Sequence, residues 1–370
     1  MESVLDWVHL SFLPGIGVHS CLVLLRYFGS PSAILAANRK QLENVAGIRR
    51  NQIDSVLHAG DLRKRAEAEV KHVEEFGGSI ITCNDSGYPE LLKQLPDPPP
   101  LLYCLGDTSL LNTLGVAIVG SRAATSYGRR VAFGLGRDIG LRGLTVVSGL
   151  AHGIDTEAHL GALKSQSATI AVLGCGLDIC YPIENRKLYG RIAQSGLIIS
   201  EYSLGTRPEG FRFPARNRII AGLGLGVVVV EAARRSGSLI TAQIGLDLGR
   251  EIFSVPGQVD SSKSDGCHWL LQQGARLVRN CDDVLSELRV DTEGISTITE
   301  SVIGDESAED LNLDSDGKTL LALIETYPQD RDMLLNKAGI TVTRGAELLL
   351  LFELDGRIEV LPGNRVRRIG

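Results

Sequence analysis

Several short stretches of this 370-residue chain bring glycines, hydroxyl residues and arginines together. These residue types hold a phosphate through backbone N–H groups and charge, without needing to break it. Gly120-Ser121-Arg122 follows an apolar run and enters a helix through Ser126. At the carboxyl end of a strand, the helix start offers free N–H groups to an anion, and Arg122 adds a bidentate clamp. The spacing is not GxGxxG and the next run closes on Val147-Ser148-Gly149 without an acidic residue, so a dinucleotide fingerprint is not met. In Ser148-Gly149-Leu150-Ala151-His152-Gly153-Ile154-Asp155, the two inner glycines let backbone approach a ligand, and Asp155 is placed to cap the next helix. A phosphate cradle and a plain strand-to-helix turn both fit this string. Asp155 and His159 have dyad spacing, but no nucleophile or metal cluster accompanies them.

Phe211-Arg212-Phe213-Pro214-Ala215-Arg216-Asn217-Arg218 is the most telling segment. Arginines for phosphates and flat rings for bases meet there at a helix start, the combination single-strand binders need. The competing reading is a solvated basic turn with its phenylalanines in the core. Further on, Arg234-Arg235-Ser236-Gly237-Ser238 sets small hydroxyl residues at another helix start, and Glu231 before it reads as buried and structural rather than catalytic.

The elements that must position these groups follow from the apolar pattern. Residues 1–100 read as a helical domain, with helices over 6–13, 19–27, 39–45 and 54–76, hairpin-like breaks at Leu13-Pro14-Gly15-Ile16-Gly17 and Val45-Ala46-Gly47-Ile48, and a Pro-rich connector at 96–100. From 101 to 290, continuous apolar runs at 116–119, 144–147, 169–173, 197–200, 227–230, 252–255 and 276–278 alternate with helical stretches. That is the pattern of a mostly parallel α/β sheet, doubly wound and Rossmann-like. Residues 291–317 are acidic and poor in large apolar groups, a flexible linker, and 318–370 order three helices and a hairpin as a winged helix.

Composition narrows the functional class. A net charge of −6 excludes a protein that coats nucleic acid by overall charge, so any DNA site is a local patch. Seven cysteines without a CxxC pair fit reduced thiols in the cytoplasm, and Cys175 with Cys180 lacks a second ligand cluster for zinc. No signal peptide and no membrane-spanning run is read, and no cofactor is expected.

Taken in order, Val119-Gly120-Ser121-Arg122, the 148–155 string, Phe213-Pro214-Ala215-Arg216-Asn217-Arg218-Ile219-Ile220-Ala221-Gly222, Arg235-Ser236-Gly237-Ser238-Leu239-Ile240-Thr241-Ala242 and Val255-Pro256-Gly257 closely resemble the DprA/Smf family of DNA-processing proteins. The resemblance covers almost the whole chain. It implies an amino-terminal SAM-like domain with a helix-hairpin-helix, an extended Rossmann core that binds single-stranded DNA and dimerises, and a carboxy-terminal winged helix. It further implies help in loading the RecA recombinase during natural transformation, with the Gly120-Ser121-Arg122 loop and the Arg216/Arg218 segment in a basic pocket. Two departures stand out: Ala168 where many members carry lysine, with Lys164 a candidate substitute, and His268 where members often carry asparagine. The expected DNA-contacting set is Gly120, Ser121, Arg122, Ser148, Gly149, Gly153, Asp155, Lys164, Phe213, Arg216, Asn217, Arg218, Ser236, Gly237 and Ser238. Arg357, Arg365, Arg367 and Arg368 give the wing a positive edge for duplex DNA, and a protein-docking role fits it equally. A nucleotide-processing enzyme like the lysine-decarboxylase-like phosphoribohydrolases is the alternative, but its Pro-Gly-Gly-x-Gly-Thr-x-x-Glu string is missing at 231–238. A protein-binding scaffold is the third, and would need no convergence of Arg122, Arg216 and Arg218.

Overall fold

A computed structural model describes residues 3–288, 314–325, 327–355 and 357–368. The expected linker lies almost wholly outside the described residues. The chain divides into two compact units, 1–295 and 296–370.

In the first unit, helices α1 (Val4–Ser11), α2 (Val18–Phe28), α3 (Pro31–Leu35), α4 (Arg39–Glu43), α5 (Arg50–Leu57) and α6 (Arg63–Glu75) precede a nine-stranded sheet. The single helix expected over 54–76 is two, separated by a 3-10 turn at Ala59–Leu62 where Gly60 weakens the helix. Leu10, Leu24, Ile34, Leu42 and Val56 form the core of this helical part.

The sheet runs β1 (Ser79–Thr82), β2 (Leu101–Gly106), β6 (Leu197–Ser200), β5 (Thr169–Val172), β4 (Thr145–Ser148), β3 (Gly115–Gly120), β7 (Gly226–Val230), β8 (Glu251–Ser254), β9 (Arg276–Leu277). From β6 to β9 all pairings are parallel, whereas β1 and β2 join as antiparallel edge strands. The expected division at residue 100 therefore falls inside the sheet, because β1 pairs with β2 across the proline run.

Alternation along β3 shows why both faces are covered. Val116 and Ile118 pack with Ala132, Leu135 and Ala158, while Ala117 and Val119 pack with Ile219, Ile220 and Ala242. The first face carries helices α8 (Ser126–Leu141) and α9 (Ile154–Lys164), with α10 (Arg186–Ser195) beside α9; the second carries α7 (Glu90–Lys93), α11 (Arg212–Leu223) and α12 (Gly237–Asp247). Helices α8 and α9 meet backbone to backbone: a Cβ on Gly136 would lie 2.3 Å from Ala158 O, and one on Gly161 2.1 Å from Phe133 O. Helices α13 (Asp265–Gln272) and α14 (Cys281–Leu288) close the unit.

The chain leaves β3 toward β4, β5 and β6, then returns to the other side of β3 for β7 to β9. This reversal between β3 and β7 opens a crevice at the carboxyl ends of those strands, where open α/β sheets bind ligands.

The second unit places α15 (Ser315–Leu323), α16 (Arg331–Ala338) and α17 (Val342–Leu354) around Leu320, Leu348 and Phe352, with a three-stranded sheet of β10 (Gln329–Asp330), β12 (Arg365–Arg368) and β11 (Ile358–Leu361), a winged helix. Among the described residues no helix is long and apolar enough to cross a membrane.

Candidate nucleic-acid interface

The crevice at the β3–β7 reversal is a cleft of about 690 Å³. Gly120, Ser121, Arg122, Asp155, Phe213, Arg216, Asn217, Ser236, Gly237 and Ser238 all line it, ten of the fifteen expected contacts. Tyr181, Pro208 and Gly210 line it too and were missed from sequence. Tyr181 lies in the long loop after β5, at the carboxyl end of a parallel strand, and that position was the available signal.

The walls combine charge with flat surface. The exposed Arg122 guanidinium lies 5.2 Å from the Phe213 ring centroid, and Tyr181 packs 5.5 Å from the same ring. Phe211, 66% exposed, stands outside the cleft, where Arg212 packs between its ring and that of Tyr202.

Arg216 forms the floor. It is 3% exposed, donates Nη1 to Val172 O, and leaves Nε without a partner. Burial, together with the nearby Arg122 charge, lowers its pKa to about 10 despite the Asp155 carboxylate. Asp155 is buried beside it and accepts from Gly149 N (3.1 Å) and Ala151 N (3.4 Å). Burial raises the Asp155 pKa against the pull of Arg216. The pair is thus a buried cation and anion, each at a cost in hydration that its partner offsets.

The 148–155 string supports the cleft more than it lines it. Ser148 is buried with its hydroxyl given to Ile118 O (2.6 Å). A Cβ on Gly149 would come within 2.4 Å of Arg216 Nη1, so the close approach that glycine permits is to arginine rather than to ligand. Gly153 has φ +78 and is the N-cap of α9, with Ser121 O where a Cβ would stand. Asp155 is therefore inside the first turn and braces the preceding loop instead of capping the helix. His159 bonds Thr169 Oγ1 at 2.7 Å and does not line the cleft, so no Asp155–His159 dyad forms.

The anion-accepting helix start also differs from expectation. At α8 the place is taken by Glu231, which accepts from Thr125 N (3.0 Å) and from its hydroxyl while its own carbonyl accepts from Ser121 N (2.7 Å). Glu231 is the structural clamp its sequence setting suggested. The open helix start is that of α12, whose N-cap Ser236 and first residues Gly237 and Ser238 turn the positive end of the helix dipole to the cleft.

Two expected cations lie elsewhere. Arg218 is buried in an ion pair with Glu201 (2.7 Å) and a second with Asp97 (3.3 Å), outside the cleft. Lys164 is the exposed last residue of α9, about 15 Å along the helix from its first turn. Ala168 precedes β5 and so shares that amino-terminal edge of the parallel strands, opposite the cleft. The cleft is not short of a cation on its account. In the winged helix, Arg344 pairs with Asp314 and Glu347 and Arg367 with Glu359, while Arg365 and Arg368 are exposed.

A family model for DNA recombination-mediator protein A matches residues 79–289, and one for the DprA winged helix domain matches 305–364. Protein Smf of Synechocystis sp. is 32% identical over 392 residues, 98% of each chain. DNA processing protein DprA of Streptococcus pneumoniae is 48% identical over 207 residues, 55% of this chain and 72% of that one. The X-ray structure of DprA from Streptococcus pneumoniae covers 78% of this chain and 99% of its own at 37% identity, with TM-score 0.69. DNA processing protein A from Helicobacter pylori, whose structural study concerns its unique single-stranded DNA binding mode, covers 57% of this chain and 95% of its own at 36% identity, TM-score 0.53. With a family model matching more than half its length and a relative of this identity along nearly all of it, the chain belongs to the DprA/Smf family of DNA-processing proteins, the DNA recombination-mediator protein A family.

Proposed function

We propose that the cleft holds single-stranded DNA by its phosphates and at least one stacked base, without cutting it. The observation that carries this is Arg122 lying over Phe213, itself against Tyr181, at the rim of a cleft floored by Arg216. Cations beside accessible rings suit an unpaired strand, since a duplex keeps its base faces stacked inside. The Helicobacter pylori relative, named for single-stranded DNA binding, supports the same reading. Family membership further supports a cytoplasmic homodimer that helps load RecA onto strands taken up in transformation, the role the resemblance implies. In the winged helix, Arg365 and Arg368 remain the groups for contact with duplex DNA or a protein.

Fluorescence anisotropy with single- and double-stranded oligonucleotides across a salt series tests the cleft. Single strands bind more tightly, and affinity falls steeply with salt as counterions are released. Arg122→Ala reduces the salt slope by about 1, the value of one phosphate contact. Phe213→Ala loses about 1–3 kcal/mol of stacking. Variants that bind as the parent does would remove the cleft from consideration. Release of free base or of cleaved strand by purified protein would transfer the reading to the phosphoribohydrolase-like alternative.

A further inference from the structure

A second cavity, of about 330 Å³, lies between the amino-terminal helices and the sheet. Helix α11 serves both sites: Phe213, Arg216 and Asn217 line the cleft, Ala215 and Arg218 the cavity. Trp7, Ile16, Val18 and Leu101 give the cavity apolar walls, and the Tyr202 ring, on which Arg212 packs at 4.8 Å, joins it to the start of α11.

Its polar groups are not those of a phosphate site. Two carboxylates, Glu201 and Asp97, surround the single guanidinium of Arg218, leaving an excess of negative charge. Burial raises the Glu201 pKa even beside Arg218, and the Asp97 charge adds to the rise. At the same time Arg218 Nη1 and Trp7 Nε1 are buried donors without a hydrogen-bond partner. A ligand that answers all of these is flat and uncharged, with adjacent N–H donors for a carboxylate and an acceptor for a donor. Among the DNA bases, guanine alone sets two neighbouring donors, N1–H and N2–H, beside an acceptor, O6, on one edge.

We propose that this cavity receives a guanine base of the strand whose phosphates lie in the cleft. The proposal rests on the single-strand reading above. Guanine N1–H and N2–H donate to the carboxylate side and O6 faces the unpartnered donors, between the apolar walls. The chain thereby gains a base preference that the cleft itself, holding backbone and ring faces, does not supply.

Trp7 lines the cavity and reports on it. The chain has two tryptophans, so in full-length Trp269→Phe the remaining emission is that of Trp7. Deoxyguanosine should quench it and thymidine should not; neither nucleoside carries a phosphate for the cleft arginines. Equal response to both, or to neither, overturns the guanine site. In parallel, a labelled oligo-dT with dG at every third position binds about fivefold more tightly than oligo-dT of the same length, the effect of one net hydrogen bond. Glu201→Gln, which leaves one acceptor, removes that gain. So does Val18→Phe, which fills the cavity without touching the ion pair and leaves oligo-dT affinity as it was. A gain that survives Val18→Phe overturns the proposal while the cleft stands, whereas failure of the parent protein to bind oligo-dT at all overturns the single-strand reading.

Discussion

His159 illustrates how one buried side chain sets a pH dependence. Thr169 Oγ1 gives its proton to Val146 O, so the His159 Nδ1 at 2.7 Å must be the donor to Thr169, and Nε2 is left without a partner. Burial, reinforced by the Arg216 charge, lowers its pKa to about 3. An unfolded chain protonates this ring near its ordinary value of about 6.5, so between there and 3 the unfolded state binds a proton that the folded state refuses. Stability from this residue is therefore complete above that range and is lost as pH falls, by on the order of 3 kcal/mol at pH 4. Asp155 and Glu201, with raised pKa values, act in the opposite direction, so the effect is read by difference. Urea unfolding of the parent and His159→Gln at pH 7 and pH 4 should show the variant losing less on acidification. Parallel losses would mean that the ring is not held neutral.

At the scale of elements, the end of β7 holds the start of α8. Glu231 sits at φ +58, a conformation a non-glycine residue adopts only where its surroundings insist, and those surroundings are Thr125 and Ser121. Glu231→Ala leaves the Thr125 N–H without its acceptor, lowers stability by about 1–3 kcal/mol, and loosens the loop carrying Arg122. Faster amide exchange at Ser121 and Thr125 is the readout, and unchanged exchange would deny the clamp its role. Six of the seven parallel strands, β3 to β8, were legible because their apolar runs have no other use than burial within the sheet, whereas β9 is a two-residue edge strand with both residues exposed and was legible only through the Leu277-Val278 pair. Strands β1 and β2 were not: β1 is only four residues with a partly exposed pattern, and β2 directly follows the proline run. The cleft was legible where residue type decides, as for Arg122, Phe213 and Ser236. It was illegible where orientation decides. Arg216 and Arg218, two residues apart, diverge by about 200° around a helix of 3.6 residues per turn, so one floors the cleft and the other faces Glu201. Lys164 failed by distance along α9, and Tyr181 escaped because its loop carries no charged motif.

For the whole molecule, the cleft and the guanine cavity both belong to the unit of residues 1–295. A chain ended at 295 should keep the single-strand affinity of the full protein in the same anisotropy titration, and a large loss would assign part of the grip to the winged helix. Within that unit, α8 and α9 start beside the cleft and press backbone on backbone at Gly136 and Gly161. Such a contact has no side-chain layer to give way, so the two helices should keep one spacing with or without DNA. The strand is then the partner that must change shape. Oligo-dA, whose bases stack upon one another in solution, has to come apart before it can lie along a fixed trough, while oligo-dT arrives already loose. Preference between these two homopolymers, neither of which carries guanine, would thus measure the stiffness of the nucleic acid rather than any chemical reading of its bases.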